Sequence, residues 1–154
     1  MTSSSSVPRR VAVAGASGRM GRMLIEAIQA SDDCVLAGAL DLPTSPAVGQ
    51  DATAFLGRAS GVAITADLRE GLKNADVLID FTRPEGTLAH AAVCAELGVQ
   101  MVIGTTGFSD AQKADMEAAA RKVAIVLAPN MSVGVNVTLK LLQMAAQALA
   151  TGYD

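Results

Sequence analysis

Residues 11–28 read VAVAGASGRMGRMLIEAI: an apolar run from Val11, glycines at Gly15, Gly18 and Gly21, then an amphipathic run to Ile28. Glycine loses more backbone freedom on folding than any other residue and weakens the interior of a strand or helix. Its repeated use where a strand should become a helix implies that the missing side chains matter there. A helix N-terminus carries unsatisfied backbone N–H groups and a partial positive charge, so it attracts phosphate. Gly15 permits the tight turn, Gly18 lets a diphosphate approach the backbone, and Gly21 lets the helix lie close to the sheet. The spacing is G-x-x-G-x-x-G, so Ala16 and Ser17 lengthen by one residue the turn of the common G-x-G-x-x-G pattern.

The next strand ends in AGALDLP (37–43), placing Asp41 about twenty residues beyond the glycines. A carboxylate there accepts hydrogen bonds from adenosine ribose hydroxyls and repels a 2′-phosphate. Leu42 offers no compensating cation. Strand, glycine turn, helix and acidic strand end together predict a dinucleotide site, with NAD(H) accepted at least as well as NADP(H). The alternative is a glycine turn that serves only helix–sheet packing.

Outward from this unit, short β-branched runs alternate with longer helical patterns. Strands are predicted over 11–15, 35–40, 62–64, 77–81, 101–103 and 124–127, and helices over 19–30, 67–73, 84–97 and 110–121. Several strands are apolar throughout, as expected when helices cover both faces. Repeated β–α units of this spacing predict an α/β fold with a doubly wound, Rossmann-like parallel sheet. Ser109 is placed to cap the helix that begins at Asp110, Pro84 suits a first helical turn, and Gly98 suits a helix stop. The stretch 42–61, rich in Pro, Ser and Gly, reads as an irregular excursion with one short helix near 52–56. From Val133 to Ala150 the chain reads as a helix with a narrow polar stripe of Asn136, Lys140, Gln143 and Gln147. Its other sides are apolar, so it demands cover from further protein or from a subunit partner.

Composition bounds the class. The 154 residues suit one ordinary domain. With 51% apolar but only 3% aromatic residues, the core must be built from Ala, Val, Leu, Ile and Met. A net charge of -3 provides no basic field for nucleic acid. No apolar run reaches the roughly 20 residues of a membrane span. Residues 1–10, MTSSSSVPRR, lack an apolar core and read as a disordered tail, not a secretory signal. Cys34 and Cys94 have no metal-ligand spacing and read as buried free thiols of a cytoplasmic protein. No metal site is expected.

Three further loops follow strand ends, the edge at which open α/β sheets bind ligands. They are FTRPEGT (81–87), GTTGF (104–108) and APNMSVG (128–134). The hydroxyls and amides of GTTG suit a nicotinamide carboxamide or a substrate carboxylate, though all three loops also suit ordinary turns. Arg19 is the best cation near the phosphates, with a helix-face salt bridge as the alternative. His90 falls inside a predicted helix and reads as a solvated or packing residue that points away from the ligand edge.

The segments VAVAGASGRMGR (11–22), VLIDFTRPEGTLAH (77–90), MVIGTTGF (101–108) and APNMSVGVNVTLKLL (128–142) resemble dihydrodipicolinate reductase, also called 4-hydroxy-tetrahydrodipicolinate reductase, of lysine and diaminopimelate biosynthesis. The resemblance implies a cytoplasmic, typically tetrameric reductase that moves hydride from NADH or NADPH to a small dicarboxylate. It places Gly15, Ala16, Ser17, Gly18, Arg19 and Met20 around the diphosphate and Asp41 at the ribose. It places Phe81 on the adenine side, Gly104, Thr105 and Thr106 near the nicotinamide, and Ala128, Pro129, Asn130 and Met131 at a hinge. Thr106 corresponds to a threonine that also touches substrate.

Two departures accompany the resemblance. Leu42 stands where members that use NADPH well often carry arginine, and Met131 stands where others have an aromatic residue. The family's paired histidines, lysine and DAPSGT segment do not occur in these residues. The expected organisation is therefore a dinucleotide-binding domain over 11–130 and the hinge and first helix of a largely absent substrate domain over 131–154. No catalytic residue is assigned, and the chain is expected to be inactive alone. The alternatives are a stand-alone nucleotide-binding module and the front end of an aspartate- or homoserine-type dehydrogenase.

Overall fold

The computed structural model describes residues 7–150. Among them run the strands β1 (Arg9–Ala14), β2 (Cys34–Leu40), β3 (Ile64–Thr65), β4 (Val77–Asp80), β5 (Gln100–Ile103) and β6 (Ile125–Leu127). The helices are α1 (Arg19–Gln29), α2 (Leu68–Leu72), α3 (Pro84–Leu97), α4 (Asp110–Ala120) and α5 (Val133–Ala148). The strands form one sheet in the order β3-β2-β1-β4-β5-β6, every neighbouring pair parallel. The chain winds outward from β1 to β3, returns to the other side of β1 for β4, and winds outward again to β6. The winding reverses between β1 and β4, where an open α/β sheet leaves a crevice.

Helix ends follow local chemistry. The Ser109 hydroxyl accepts from the Gln112 amide at 3.3 Å, while the Gln112 side chain accepts from the Ser109 amide at 2.9 Å. This reciprocal cap satisfies two otherwise orphaned donors. Pro84 occupies the first turn of α3, and Gly98 ends that helix at φ 75°. Asp67 caps α2 through the amides of Arg69 and Glu70.

The sheet separates two apolar layers. Against one face, Ile25 and Ile28 of α1 pack with Val11, Val13, Leu36, Ala39 and Ile64. Against the other, Leu72, Ala91, Cys94 and Met116 pack with Ala12, Leu78, Met101 and Ile103. The low aromatic content is matched by close backbone approach. A Cβ on Gly38 of β2 would overlap the Gly71 carbonyl of α2, and a Cβ on Gly71 would overlap the Leu40 side chain. Neither contact was signalled in the sequence.

Coverage is less even than the apolar strands predict. The α1 face is packed over β1, β2 and β3, whereas the register row Ile79–Val102–Val126 continues on that face with Val126 57% exposed. Every residue of α5 is exposed, so the helix expected to need cover has none among the described residues.

Two expectations are corrected, the tail and the third strand, and the 42–61 excursion is present as expected. Strand β1 begins at Arg9, inside the predicted tail 1–10, because Arg9 N–H donates to the Asp33 carbonyl and Arg10 pairs with Asp76 through its amide and guanidinium. Residues 1–6 lie outside the described residues. Strand β3 covers 64–65, not 62–64, since Ala63 instead bridges antiparallel to Asp51. The 42–61 excursion is knotted around one side chain: the Asp51 carboxylate accepts from the Thr53, Ser60 and Gly61 amides and the Thr53 and Ser60 hydroxyls. Those donors, the Ser60 amide foremost, hold the Asp51 carboxyl far below its ordinary range. The short helix is a 3-10 turn over Ala54–Leu56.

Candidate functional site

Parallel register lines up the strand ends. Leu40, Ala14, Asp80, Ile103 and Leu127 are successive partners across β2, β1, β4, β5 and β6. One residue further along, the same row reads Asp41, Gly15, Phe81, Gly104 and Ala128. The row holds the residue before the 42–61 excursion, the first glycine of the turn and the first residues of the loops 81–87, 104–108 and 128–134, so the topology brings them to one rim.

The glycine turn is built as its spacing requires. Gly15 sits at φ 68°, a region that favours glycine, and faces Thr82 across the crevice. The Ala16 amide donates to the Leu40 carbonyl at 2.9 Å, and the Ser17 amide donates to Asp41 Oδ2 at 2.9 Å. Asp41 Oδ1 accepts from the Leu42 amide at 2.8 Å. A Cβ on Gly21 would overlap the Gly15 carbonyl, which accounts for the third glycine by packing alone. A Cβ on Gly18 would approach only the Gly15 oxygen, at 3.2 Å, so its outer side is open. Gly18 gives α1 no side-chain cap, and its first turn holds no acidic residue. Among the described residues, the amides of Arg19, Met20 and Gly21 have no acceptor. This chemistry suits an anion such as a diphosphate. Arg19 and Met20 are exposed beside it. The 42–61 segment closes the outer wall, with Ser45 Oγ 3.4 Å from Ser17 Oγ and Arg22 5.4 Å from the Phe55 ring centroid.

Beyond the crevice, the Phe81 ring occupies the space where a Cβ on Gly104 would be, so the loops after β4 and β5 interlock. Behind them lies a buried polar cluster. Asp80, fully buried at the end of β4, accepts from the Thr82 amide at 2.9 Å and the Thr82 hydroxyl at 2.7 Å. It also accepts from the Thr105 hydroxyl at 3.4 Å and lies 2.7 Å from His90 Nδ1. The Thr87 and Thr105 hydroxyls meet at 2.9 Å. Burial pushes the Asp80 carboxyl upward, but the His90 and Thr82 hydrogen bonds and the His90 charge outweigh it and hold the group below its ordinary range. Burial, with the Asp80 charge second, pushes the Cys94 thiol up to about 12, so it is inert as a nucleophile. Cys34 is half-buried and free.

His90 is the main correction here. It does not point away from the ligand edge; its ring is mostly buried against the last residue of β4. Helix α3 starts directly after the strand-end loop, so a residue two turns along still reaches that end. The buried polar neighbours Asp80, Thr87 and Thr105 come together only in the fold, so no local signal marked His90.

The remaining predicted residues divide. Thr105 turns its hydroxyl inward, whereas Thr106 and Gly107 are exposed on the rim. Ala128 is tied to β5 through its amide to the Ile103 carbonyl at 3.1 Å. Pro129, Asn130 and Met131 are exposed and lead away into α5, with Asn130 Oδ1 accepting from the Ser132 amide at 2.8 Å. Among the described residues there is no cluster of His, Cys, Asp or Glu able to hold a metal ion, and no helix is long and apolar enough to cross a membrane.

Residues 9–131 match the family described as dihydrodipicolinate reductase, N-terminus. The 4-hydroxy-tetrahydrodipicolinate reductase of Cupriavidus pinatubonensis is 68% identical over 144 residues, which are 94% of this chain and 54% of that protein. The chain thus spans about half the length of the curated relatives it matches. Among solved structures, the dipicolinate-bound dihydrodipicolinate reductase of Paenisporosarcina sp. TG-14 superposes with a TM-score of 0.71 at 26% identity, over 90% of this chain and 54% of that one. The WlbA dehydrogenase of Chromobacterium violaceum, solved with NADH and UDP-GlcNAcA, gives 0.68 at 22% identity, over 96% of this chain and 42% of that one. The second likeness is one of fold alone.

Proposed function

The chain belongs to the dihydrodipicolinate reductase family, through that family's N-terminal domain, and on this premise we propose that it forms the cofactor-binding half of a cytoplasmic 4-hydroxy-tetrahydrodipicolinate reductase. The reading rests foremost on one observation: the uncapped start of α1 opens beside Asp41 at the point where the sheet's winding reverses. NADH or NADPH, bound there, supplies the hydride. The chain's own residues bind and orient. The amides of Arg19 to Gly21 face the diphosphate, with Gly15, Ala16, Ser17 and Gly18 shaping the turn and Met20 on its flank. Arg19 adds a cation, and Asp41 receives the ribose hydroxyls with the acceptor capacity that Ser17 and Leu42 leave free.

On the far side of the crevice, Phe81 lies on the adenine side and backs Gly104, while the GTTG loop presents amides and the Thr106 hydroxyl to the nicotinamide end. Thr106 also meets the dicarboxylate substrate. Ala128, Pro129, Asn130 and Met131 form the hinge toward the residues that complete the substrate site. The assembled enzyme is a homo-oligomer, a tetramer by family resemblance. By family resemblance the proton donor belongs to the paired histidines, lysine and DAPSGT segment, which do not occur in these residues.

Fluorescence titration of the 154-residue chain with NADH tests this reading. Saturable binding, competed by ADP, is expected, without substrate-dependent NADH oxidation. Absence of binding overturns it, and turnover at an ordinary enzymatic rate overturns the assignment of the proton donor.

A further inference from the structure

The cluster around Asp80 is more than packing requires. Removing a carboxylate from water costs several kcal/mol unless it is fully partnered, and an apolar replacement of similar volume is often neutral or stabilising. Stability alone therefore does not account for a fully buried aspartate here. Its four donors come from three different places: the loop after β4 through Thr82, the loop after β5 through Thr105, and helix α3 through His90. An ionised carboxylate only accepts, so His90 Nδ1 must carry the proton it donates. Thr87 of α3 closes the circuit by meeting Thr105 at 2.9 Å and Thr82 at 3.4 Å.

Both loops held this way face the crevice. Thr82 Cγ2 lies 3.2 Å from where a Cβ on Gly15 would stand, so this loop is the wall opposite the glycine turn. Thr105 immediately precedes the exposed Thr106 on the rim. One acceptor shared by both loops prevents them from moving independently.

We infer that Asp80 is a positioning residue: through Thr82, Thr105 and His90 it sets the position of the GTTG loop, which receives the nicotinamide end of the dinucleotide, against the loop after β4. The inference rests on reading the crevice as an NAD(P)H site. Asp80 does not touch the cofactor, and its influence is confined to the half of the crevice beyond β1.

The experiment compares NADH with ADP, which has the adenosine and diphosphate but no nicotinamide. Wild-type chain, Asp80→Asn, His90→Asn, Thr105→Val and Thr105→Ser are titrated with each. Wild-type binding of both ligands tests the site reading; its failure removes that reading and this inference together. With wild-type binding in hand, Asp80→Asn and Thr105→Val are expected to weaken NADH about tenfold, the loss of one hydrogen bond to a charged group. For Thr105→Val, which leaves the Thr82 bonds in place, ADP affinity should stay within about twofold, a few tenths of a kcal/mol. Thr105→Ser, which keeps the hydroxyl, should restore NADH affinity. Equal weakening of NADH and ADP by Thr105→Val, or no change in NADH for it, overturns the inference. If Asp80→Asn does not fold, Thr105→Val and His90→Asn decide: each is expected to weaken NADH, and unchanged NADH affinity in both overturns the inference.

Discussion

Asp41, at the end of β2, holds the glycine turn that follows β1: its Oδ2 accepts the Ser17 amide at 2.9 Å while its Oδ1 accepts the Leu42 amide at 2.8 Å. A carboxylate offers about four acceptor positions, so two backbone bonds leave room for ribose hydroxyls. One side chain thus shapes the turn and keeps acceptor capacity for a sugar. Asp41→Ala should weaken NADH about tenfold or more, since it removes both a charged acceptor and a turn contact. Wild-type chain should not prefer NADPH. Leu42→Arg should move the NADPH-to-NADH affinity ratio about tenfold toward NADPH, or 1.4 kcal/mol. Parallel titrations of both cofactors check this, and an unmoved ratio counts against Asp41 as the ribose residue.

The glycines separate folding from binding. Added methyl groups at Gly21 and Gly38 both meet backbone carbonyls, of Gly15 and Gly71 respectively. Each alanine variant should lose about 1–3 kcal/mol in urea unfolding. Only Gly21→Ala should also weaken NADH, because only it disturbs the glycine turn. Matching losses of cofactor affinity would show that the two helix–sheet contacts are not independent.

Gly104→Ala should be costlier than an ordinary loop substitution. Its methyl would enter the Phe81 ring, displacing either the ring or the rim loop. A drop in melting temperature is expected, and Phe81→Leu in the same chain should recover part of it by vacating that space. Thermal unfolding of the single and double variants measures the coupling.

At the opposite end of the sheet, Arg10 donates to Asp76 from its guanidinium at 2.6 Å and from its amide at 2.9 Å. The guanidinium bond first, and the amide second, draw the Asp76 carboxyl from 3.8 down to about 2. A carboxyl depressed in the folded state stabilises it above the unfolded value and loses that contribution as pH falls through the folded one. The stability difference between wild type and Arg10→Ala should therefore be full at pH 5 and shrink toward pH 2. A difference that holds constant over that range would show that the carboxyl is not perturbed.

Helix α5 exposes Leu139, Leu141, Leu142 and Met144 by more than half each. Apolar surface of that kind marks an interaction site. Sedimentation of the 154-residue chain should show concentration-dependent association, relieved by Leu139→Glu with Leu142→Glu. A wild-type monomer at high concentration would contradict it.

Much of this architecture was legible because it is local. Alternating β-branched and helical stretches, the spacing of Gly15, Gly18 and Gly21, the Ser109 cap and the Gly98 stop each act within a few residues. The rim followed too, since every parallel strand delivers its loop to the same edge. What escaped is carried by side chains meeting across long separations. His90 and Asp80 are ten positions apart on different elements, and periodicity places His90 in a helix without saying what the helix leans on. Arg10 looked like tail because its partner stands 66 residues away. The 42–61 segment looked shapeless because its order comes from one carboxylate gathering backbone amides, which leaves no pattern in the alternation of polar and apolar residues.

The common starting line of the five loops carries a lesson for redesign. Inserting one residue within a strand would reverse which face its side chains occupy and push one loop out of step with the others. Extra residues placed beyond Leu42, Thr82, Thr105 or Ala128 keep both the register and the bonds by which Asp41 and Asp80 hold these loops. Libraries meant to retune cofactor choice should therefore diversify only those four exits, and the turns at the sheet's other end make natural controls.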